Sequence, residues 1–452
     1  MFTTTVLAFA LAQARTGEAP ALDNRRFPED YRGLADGRAA DAWWARYKDL
    51  PLDQAGRWRF SFGLELRSQT EVFRGDGLRA EEDEALDYTW WRALPVFELR
   101  NGPWRGFVQL IFAAATGLDT EPSPIDANRG DFLQAFLEAP LGPESSHLSV
   151  RAGRQLLAFG SQRLVGYRYG PNVPLPFDGA VAAYDDGRFR AEALWVRPVA
   201  TEPGAFDDEA NDEESLYGLY TTTLFGRQGL DLYYLGHDDD LGIYDQGAAD
   251  EERHTFGARW FGGVGMFDWN GEIFGQIGSF GDDDIRAWSA TIEAGVLFEE
   301  VATEPRGFGR LSVISGDDDR FDDELNTFNA LYPRGKYFGE IGTIGPANLI
   351  DVLVGAQLEI GGGWVLDASS TAYWRESLDD GIYANNGQLL RSGAGSDERF
   401  VGLQGDIAFT QNITRTTSWT VGYSVFDGGA FVEDTGPSDP VHFFQLAARL
   451  LF

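Results

Sequence analysis

Apolar and polar side chains alternate with a period of two over several long stretches of the chain. In RWRFSFGLELRSQTE, residues 57–71, charged and small polar residues separate the apolar positions Trp58, Phe60, Phe62, Leu64 and Leu66. The stretches FDWNGEIFGQIG at residues 267–278 and RAWSATIEAGVLF at residues 286–298 repeat the pattern. Such alternation predicts β-strands whose two faces meet different surroundings.

The chain ends on the same pattern, in HFFQLAARLLF at residues 442–452. The side chains at every second position, which lie on one face of the strand and which we call a file, are apolar up to Phe452. Gln445 and Arg449 fall on the opposite file. An exposed apolar edge strand is an aggregation hazard in water, whereas a lipid-facing strand requires one apolar face. The polar files of the chain carry charged residues of both signs, as in barrels with a water-filled lumen. Trp and Phe lie near the ends of the apolar files, as in the aromatic girdles of outer-membrane barrels. The pattern therefore predicts a transmembrane barrel.

The predicted fold class is all-β, a single large antiparallel transmembrane β-barrel over residues 56–452. The longest strongly apolar run, VQLIFAAATGL at residues 108–118, is shorter than the about 20 residues that a spanning helix needs. Within lipid, only helices and closed barrels satisfy every backbone group. At roughly 20 to 24 residues per strand and connection, the length gives about 16 to 20 strands, and we predict about 18.

The N-terminal part of the chain lacks this alternation. Residues 1–14, MFTTTVLAFALAQA, contain a short apolar core and a small-x-small sequence at Ala12-Gln13-Ala14, but no basic residue. We interpret them as a signal peptide, because an outer-membrane barrel must be exported; the alternative is a buried strand or the start of a helix. Residues 15–55 are predicted to form a short periplasmic segment with one or two helical turns, outside the barrel or partly inside its mouth.

Composition narrows the classes of function. The chain has 71 acidic and 37 basic residues, which gives a formal net charge of −34, and it contains no cysteine. The negative charge argues against binding to nucleic acid or to an anionic membrane surface. The absence of cysteine excludes disulfides and cysteine-based metal or redox sites.

Carboxylates are concentrated in short clusters that lie beside Gly or Pro, and we predict that these clusters are loops. The clusters are residues 81–87, 207–214, 237–240, 282–284 and 317–324. Hard oxygen ligands suit Ca²⁺, although no cluster has the spacing of an EF-hand loop. We interpret the clusters as solvated loops, with Ca²⁺ binding or divalent bridging to lipopolysaccharide as the alternative.

No catalytic motif is present in the sequence. The four histidines, His147, His237, His254 and His442, form no HxxxH or HExxH arrangement, and there is no GxSxG sequence. The glycine-spaced residues 274–281 lack the strand and helix that a dinucleotide site needs. We therefore predict a protein that is not an enzyme and that has no cofactor.

Residues 147–184, HLSVRAGRQLLAFGSQRLVGYRYGPNVPLPFDGAVAAY, resemble the alginate export family of outer-membrane barrels. Members of this family carry a GRQ-L-FGS-RLV run followed by a GPN…FDG run. Further similar stretches follow in order at residues 197–213, 230–240, 252–262, 283–289, 327–351 and 373–393. The N-terminal EDYRGLAD…WWARYKDLPL is similar to the segment that precedes the barrel in one branch of the family. The resemblance covers nearly the whole chain after the signal peptide.

The resemblance implies a barrel of about 18 strands in the bacterial outer membrane. It also implies an arginine-lined constriction through which an anionic uronic-acid polysaccharide passes outward. Rings of Arg and Lys make a pore selective for anions, and interspersed carboxylates hold those side chains in place. By motif, the predicted pore-lining or solute-contacting residues are Arg154, Arg163, Arg168, Asp178, Arg197, Arg259, Arg334, Lys336, Arg375, Glu376 and Arg391.

The file on which a residue lies, odd or even along its strand (its parity), adds two residues to this set and argues against one of its members. Arg59 and Arg67 join it because they lie on the polar file of their strand. Arg154 shares its file with apolar residues, so it faces outward unless a bulge follows Gly153. The sequence also departs from this branch of the family, which carries arginines between GPN and FDG, whereas this chain has the uncharged residues 173–176. Alginate is therefore one candidate solute among several.

The sequence therefore predicts a passive, charge-selective outer-membrane channel for an anionic saccharide or polysaccharide. Its partners would be membrane lipid, lipopolysaccharide, the solute and, for export, a periplasmic protein. One alternative is a general or substrate-specific diffusion porin for small solutes. The others are a barrel enzyme that acts on lipid and an adhesive barrel with a sealed lumen.

Overall fold

Eighteen antiparallel strands close into one barrel in the computed structural model. The structure describes residues 22–32, 34, 42–75, 78, 86–118 and 120–452. Barrel strands that are adjacent in the chain are paired, and the first strand pairs with the last, with Glu65 opposite Leu451 and Arg74 opposite His442. The prediction of an all-β barrel with about 18 strands is confirmed.

The first half of the barrel contains nine strands. They are β1 Trp58–Arg74, β2 Leu86–Asn101, β3 Trp104–Thr116, β4 Asn128–Pro140, β5 Leu148–Gln155, β6 Phe177–Asp185, β7 Phe189–Ala200, β8 Glu214–Phe225 and β9 Gln228–Tyr244. The second half contains the other nine. They are β10 Gly247–Val264, β11 Phe267–Phe280, β12 Asp283–Leu297, β13 Arg306–Ile314, β14 Leu349–Gly361, β15 Trp364–Trp374, β16 Phe400–Thr414, β17 Thr417–Gly428 and β18 Val441–Leu451.

Short elements accompany the barrel. Two-residue strands Leu50–Pro51, Glu209–Ala210 and Glu324–Leu325 extend its sheet, and Ile382–Tyr383 pairs with Leu389–Arg391 in a separate small sheet. The described helices are the 3₁₀ turns Ala45–Tyr47 and Glu144–Ser146 and the α-helix Ala430–Thr435. None of the helices in the described residues is long and apolar enough to span a membrane.

The two ends of the barrel differ in their connections. At the end where β1 begins and β18 ends, tight turns such as residues 102–103 and 226–227 join the strands, and we call this the short-turn end. Several connections at the opposite end are much longer, and we call it the long-loop end. In outer-membrane barrels the short turns are periplasmic and the long loops are extracellular.

The alternation of side chains separates the two faces of the wall as predicted. In β1, Glu65 and Arg67 are buried inside the barrel, whereas Leu66 is exposed on its outer surface. In β11, Glu272 is buried and Ile273 is exposed outside. A wall of this kind presents an apolar surface to lipid and a polar surface to the lumen.

The prediction that the acidic clusters are loops is wrong for residues 237–240 and for parts of other clusters. Residues 237–240 lie within β9, which is paired with β8 and β10 over this stretch. The strands β9 and β10 have 17 and 18 residues, whereas about 9–11 residues cross a membrane. Their long-loop ends therefore extend beyond the apolar band, where carboxylates such as Asp238 are tolerated within a strand. Asp283 and Asp284 likewise begin β12, and Leu86 and Asp87 begin β2, so these clusters are not loops throughout. Residues 207–213 and 317–323 do lie in connections, and Asp282 lies in a tight turn.

Three long connections pack across the interior of the barrel. Segment A, residues 156–176, follows β5; segment B, residues 315–348, follows β13; and segment C, residues 375–399, follows β15. The largest apolar cluster of the protein lies among these segments and the inner wall, and it includes Val165 of segment A and Phe338 of segment B. The lumen is therefore largely filled by the chain itself.

The N-terminal segment enters the short-turn end of the barrel. Phe27 is buried between Phe107 of β3 and Phe136 of β4, with ring centroids 6.4 and 5.7 Å away. The guanidinium of Arg151 in β5 lies 4.3 Å from the centroid of the Phe27 ring. Residues 22–32 thus occupy part of the lumen. The predicted signal peptide, residues 1–14, and residues 81–85 of the first acidic cluster lie outside the described residues.

The same segment covers the last residue of the chain. Phe452, which the alternation assigns to the lipid-facing file, is only 5% exposed. Arg26 Nη2 donates a hydrogen bond to the main-chain oxygen of Phe452 at 2.6 Å, and the Trp43 ring lies 4.8 Å from the Phe452 ring. The terminal aromatic residue therefore packs against protein, because the N-terminal segment folds back over the seam between β1 and β18.

Candidate functional site

Three arginines lie side by side on the inner wall of three adjacent strands. Arg67 in β1 is directly opposite Arg92 in β2 and Arg449 in β18. Opposed residues have Cβ atoms about 4.5–5.5 Å apart, so the three side chains form one row, which we call the arginine row. Among the described residues, Glu65 is the one carboxylate within 4.0 Å of the row, and its Oε1 lies 2.6 Å from Arg92 Nη2.

The arginine row holds segment A against the wall. Arg67 donates hydrogen bonds to the carbonyl oxygens of Tyr169, Gly170 and Pro171 at 2.7–3.1 Å. Arg92 donates to the carbonyl oxygens of Pro171 and Asn172 at 3.1 and 3.2 Å. Since carbonyl groups are neutral, they satisfy the donors of the arginines without removing their positive charge.

Tyr169 links segment A to the same row through its side chain. Its hydroxyl donates to Glu65 at 2.7 Å, and the guanidinium of Arg92 lies 4.5 Å from the centroid of its ring. Arg449 Nη1 lies 3.4 Å from the Tyr169 hydroxyl and 3.0 Å from Oδ1 of Asn24 in the N-terminal segment. The row is therefore the point at which the wall, segment A and the N-terminal segment meet.

Segments A and B are joined to each other by main-chain hydrogen bonds. The Gly166 amide donates to the Tyr332 carbonyl and the Tyr332 amide donates to the Leu164 carbonyl, both at 2.8 Å. The Arg334 amide donates to the Gln162 carbonyl at 3.0 Å. The two segments cross the lumen as one hydrogen-bonded unit.

A second group of cations lies where this unit meets the wall near β11 and β13. Arg163 of segment A lies 3.2 Å from Glu272, and Arg310 of β13 lies 2.9 Å from Asp351. Arg334 of segment B donates to the Tyr337 carbonyl at 3.3 Å. Burial, together with the positive charges of Arg163 and Arg310, lowers the pKa of Arg334 to about 10.

Lys336 attaches segment B to the wall beside the arginine row. Its ammonium group lies 3.4 Å from Glu71 in β1, 3.2 Å from Glu340 and 2.6 Å from the Gln445 amide oxygen in β18. Burial lowers the pKa of Lys336, but the carboxylates of Glu71 and Glu340 outweigh burial and raise it above its ordinary value. Lys336 is therefore charged at neutral pH and is 23% exposed at its side chain.

Carboxylates lie on the part of the inner wall formed by β15 and β16. Asp406 accepts hydrogen bonds from Ser424 at 2.6 Å and from the Glu340 amide at 3.1 Å. Asp367 accepts a hydrogen bond from Gln357 at 2.8 Å. Within the described residues, neither carboxylate has a cationic side chain within 4.0 Å. The inner wall at β15 and β16 thus presents carboxylates that have no cationic partner among the described residues.

The structure places seven of the predicted site residues on the inner wall or on segments A and B. These are Arg59, Arg67, Arg163, Arg168, Arg259, Arg334 and Lys336. Arg67 belongs to the arginine row, Lys336 lies further along the same strands beside Glu71 and Gln445, and Arg163 and Arg334 lie in the second group. Arg168 donates to the Pro333 carbonyl at 3.3 Å, and burial lowers its pKa. Arg259 pairs with Asp231 at 2.8 Å, and Arg59 lies at the short-turn end beside Asp49.

Three predicted residues lie on the outward file of the wall instead. Arg154 pairs with Asp178 at 2.9 Å, and Asp178 is directly opposite both Arg154 and Arg197 in the sheet. The Arg197 guanidinium lies 5.5 Å from the ring of Trp195, which is exposed on the outer surface. The pairing of residues 148–155 with residues 177–185 has no register shift, so the bulge that would turn Arg154 inward is missing from this part of the structure.

The last three predicted residues stabilise segment C. Arg375 and Arg391 are fully buried and donate to main-chain carbonyls, among them those of Glu398 and Val432. Glu376 accepts a hydrogen bond from the Gly316 amide at 3.2 Å. These side chains connect the long loops to one another, and none of them belongs to the arginine row.

One carboxylate group in the described residues has the spacing of a metal site. Oxygen atoms of Asp131, Asp207 and Asp208 lie within 4.8 Å of one another. Arg154 Nη1 lies 3.5 Å from Asp131 and 4.0 Å from Asp208. The Arg154 guanidinium already supplies positive charge beside these carboxylates, so we interpret the three aspartates and Arg154 as an ion-pair network.

Sequence reasoning missed Arg92, Arg449, Glu65 and Tyr169 as members of the site. Arg449 lies on the polar file of the terminal strand, and Glu65 lies on that of β1. The alternation alone could therefore have predicted that both side chains face the lumen. Arg92 follows Trp90-Trp91 in β2, where the aromatic pair hides the alternation. Tyr169 lies in a connection, where parity gives no information.

Comparison with known proteins identifies the type of barrel. The family model described as alginate export matches residues 58–444. No curated protein sequence matches the chain. Together with the barrel fold, the family match and the structural neighbours below place the protein in the bacterial outer membrane as a channel protein.

The similar solved structures are Occ proteins of Pseudomonas aeruginosa. OccK1 (OpdK) has a TM-score of 0.59 at 11% identity, over 86% of this chain and 98% of its own. OccD3 (OpdP) has a TM-score of 0.58 at 10% identity, over 86% of this chain and 91% of its own. A structure of OpdK with vanillate gives a TM-score of 0.59 at 11% identity, over the same shares of the two chains as OccK1. At such low identity these similarities establish the fold alone.

Proposed function

Because this chain belongs to the alginate export family, we propose that its barrel passes an anionic saccharide or polysaccharide across the outer membrane without an energy source. The short-turn end faces the periplasm and the long-loop end faces the exterior.

The arginine row is the observation that carries this proposal. Like charges directly opposite each other in a sheet are destabilising, and here three guanidiniums share the single carboxylate of Glu65. A sheet under selection for stability alone would separate or neutralise these charges. The row therefore creates a positive potential inside a narrow, low-dielectric lumen, where such a potential concentrates anions. Uronic-acid chains carry one carboxylate on each sugar and fit that potential.

A diffusion porin for small anions is the second candidate, and the segments in the lumen favour it. Segments A, B and C fill much of the interior, and residues 173–176 beside the arginine row carry no charge. A narrow lumen suits a small carboxylate better than a thick polymer. The structure of OpdK with vanillate shows a similar barrel together with a small aromatic carboxylate.

Ion selectivity tests the anionic preference that both candidates share. We expect the reversal potential of the refolded barrel, measured in a planar bilayer under a KCl gradient, to indicate anion preference. The double substitution Arg67→Gln with Arg449→Gln removes two of the three charges of the row, so it should shift the reversal potential toward cations.

Arg57→Gln is the matched control, because Arg57 lies at the short-turn end with its side chain 75% exposed. This variant should keep the selectivity of the unmodified barrel. A cation-selective unmodified barrel, or equal shifts in the control and the double variant, would show that the carboxylates govern conduction and would remove the basis for an anionic solute.

A further inference from the structure

Residues 42–47 of the N-terminal segment, which we call the rim segment, lie against the outer surface of the barrel. They include the 3₁₀ turn Ala45–Tyr47. The Tyr47 ring packs against the Phe62 ring of β1, with centroids 6.2 Å apart. Phe62 shares its file with Leu66, which is exposed on the outer surface. The rim segment therefore packs against the face of the wall that meets lipid.

A buried tryptophan anchors the rim segment at the seam between β1 and β18. Trp44 is 4% exposed and belongs to an apolar cluster with Phe452, against which Leu64 and Leu450 also pack. Leu450 is directly opposite Leu66 in the sheet, so it faces outward as well. The cluster is therefore continuous with the lipid-facing wall at the short-turn end.

The neighbouring tryptophan of the rim segment is left exposed. The Trp43 ring lies 4.8 Å from the Phe452 ring, yet Trp43 is 47% exposed. Trp58 begins β1 and Trp104 begins β3 at the same end of the barrel, and they are 42% and 60% exposed. Exposed aromatic residues at the ends of barrel strands form a girdle at the membrane surface. Trp43 therefore continues this girdle across the seam.

Two arginines flank the aromatic residues of the rim segment. The Arg46 guanidinium lies 5.1 Å from the centroid of the Tyr47 ring. The guanidinium of Arg415, in the turn between β16 and β17, lies 5.7 Å from the centroid of the Trp44 ring. Both arginines are exposed, and no described carboxylate lies within 4.0 Å of Arg46. A guanidinium binds phosphate oxygens through two parallel hydrogen bonds, so the rim segment combines exposed aromatic surface with a cation that suits phosphate.

We propose that the rim segment is a lipid-binding element that holds a phospholipid of the periplasmic leaflet against the seam of the barrel. Trp43 lies at the level of the headgroup, as interfacial Trp residues do, and Arg46 binds the phosphate. The bound lipid fastens the N-terminal segment from outside the wall, whereas Phe27 fastens it inside. This role is independent of the solute that the channel carries.

Quenching of a single fluorescent label by brominated lipids tests the position of the rim segment. The chain contains no cysteine, so Trp43→Cys gives one site for a bimane label. The full-length barrel is refolded into vesicles of phosphatidylethanolamine and phosphatidylglycerol whose acyl chains are brominated near the glycerol end. We expect the fluorescence to fall about twofold relative to unbrominated vesicles, because a side chain at the headgroup level meets these bromines.

Two further labels serve as controls for the quenching. Leu66→Cys labels the lipid-facing wall and should also be quenched. Arg32→Cys labels the same N-terminal segment at a side chain that is 70% exposed near the lumen, and it should keep its fluorescence. Quenching at position 43 no greater than at position 32 would overturn the proposal. Stronger quenching at position 43 by bromines near the methyl end of the chains would also overturn it.

Native mass spectrometry of the detergent-solubilised barrel tests the phosphate contact. Arg46→Gln should reduce the retained phosphatidylglycerol about fivefold, because one basic side chain contributes measurably to the binding of anionic lipid. Arg57→Gln, at a side chain that is 75% exposed outside the rim segment, should leave it unchanged. Digalactosyldiacylglycerol has acyl chains but no phosphate and should be retained less. Equal retention of the two lipids, or equal retention by the two variants, would overturn the proposal.

Discussion

Replacing Arg92 by methionine should destabilise the barrel by about 3–5 kcal/mol, because it leaves the carboxylate of Glu65 buried without its ion-pair partner. The side chains of Arg92 and Glu65 are both 0% exposed, and the pair is 2.6 Å apart. The substitution also removes the hydrogen bonds to the carbonyls of segment A, so the single-channel conductance should increase. Equilibrium unfolding in denaturant, followed by tryptophan fluorescence, measures the loss of stability.

A second substitution and an exposed pair serve as controls for this prediction. Arg92→Met combined with Glu65→Met replaces the ion pair by apolar side chains and should recover most of the lost stability. Arg74→Met breaks the exposed pair between Arg74 and Asp87 on the same two strands, and it should leave the stability nearly unchanged, because water screens an exposed ion pair. An Arg92→Met barrel as stable as the unmodified one would show that Glu65 does not need this partner.

Phe27→Ala should release the N-terminal segment from the lumen. Phe27 is buried between two aromatic rings of the wall and beside the guanidinium of Arg151, and truncation of a buried Phe typically costs about 3–5 kcal/mol. Once residues 22–32 leave the short-turn end, trypsin should cut after Arg32 faster and the open-channel current should increase. Protease digestion and bilayer recording measure the two effects.

Leu52→Ala is the matched control for the N-terminal segment, because Leu52 is 60% exposed. It should leave both the rate of digestion and the current unchanged. If Phe27→Ala undocks the segment without any change in current, residues 22–32 hold the seam of the barrel but do not restrict the lumen.

Much of the wall could be predicted from the sequence because a strand places alternate side chains on opposite faces. The files of β1, β11 and β12 follow directly from this rule, and the number of strands follows from the chain length. The prediction failed at residues 237–240, because β9 continues past the apolar band, where acidic residues no longer mark the end of a strand.

The site was less predictable because it depends on contacts between distant parts of the chain. The arginine row requires the pairing of β1 with β18, a register that no local pattern encodes. The positions of Arg163, Arg334 and Lys336 depend on how segments A and B fold into the lumen. Parity pointed correctly to an outward Arg154, whereas the family motif alone grouped it with the pore-lining residues.

The measurement that tests the central claim most directly is block of the single-channel current by uronic-acid oligomers. We expect such oligomers to reduce the current of the refolded barrel in a concentration-dependent manner, and neutral oligosaccharides of the same length to have much less effect. Loss of two charges from the arginine row, in Arg67→Gln with Arg449→Gln, should weaken the block. Equal block by neutral and anionic oligomers, or no block by either, would contradict a channel for anionic saccharides.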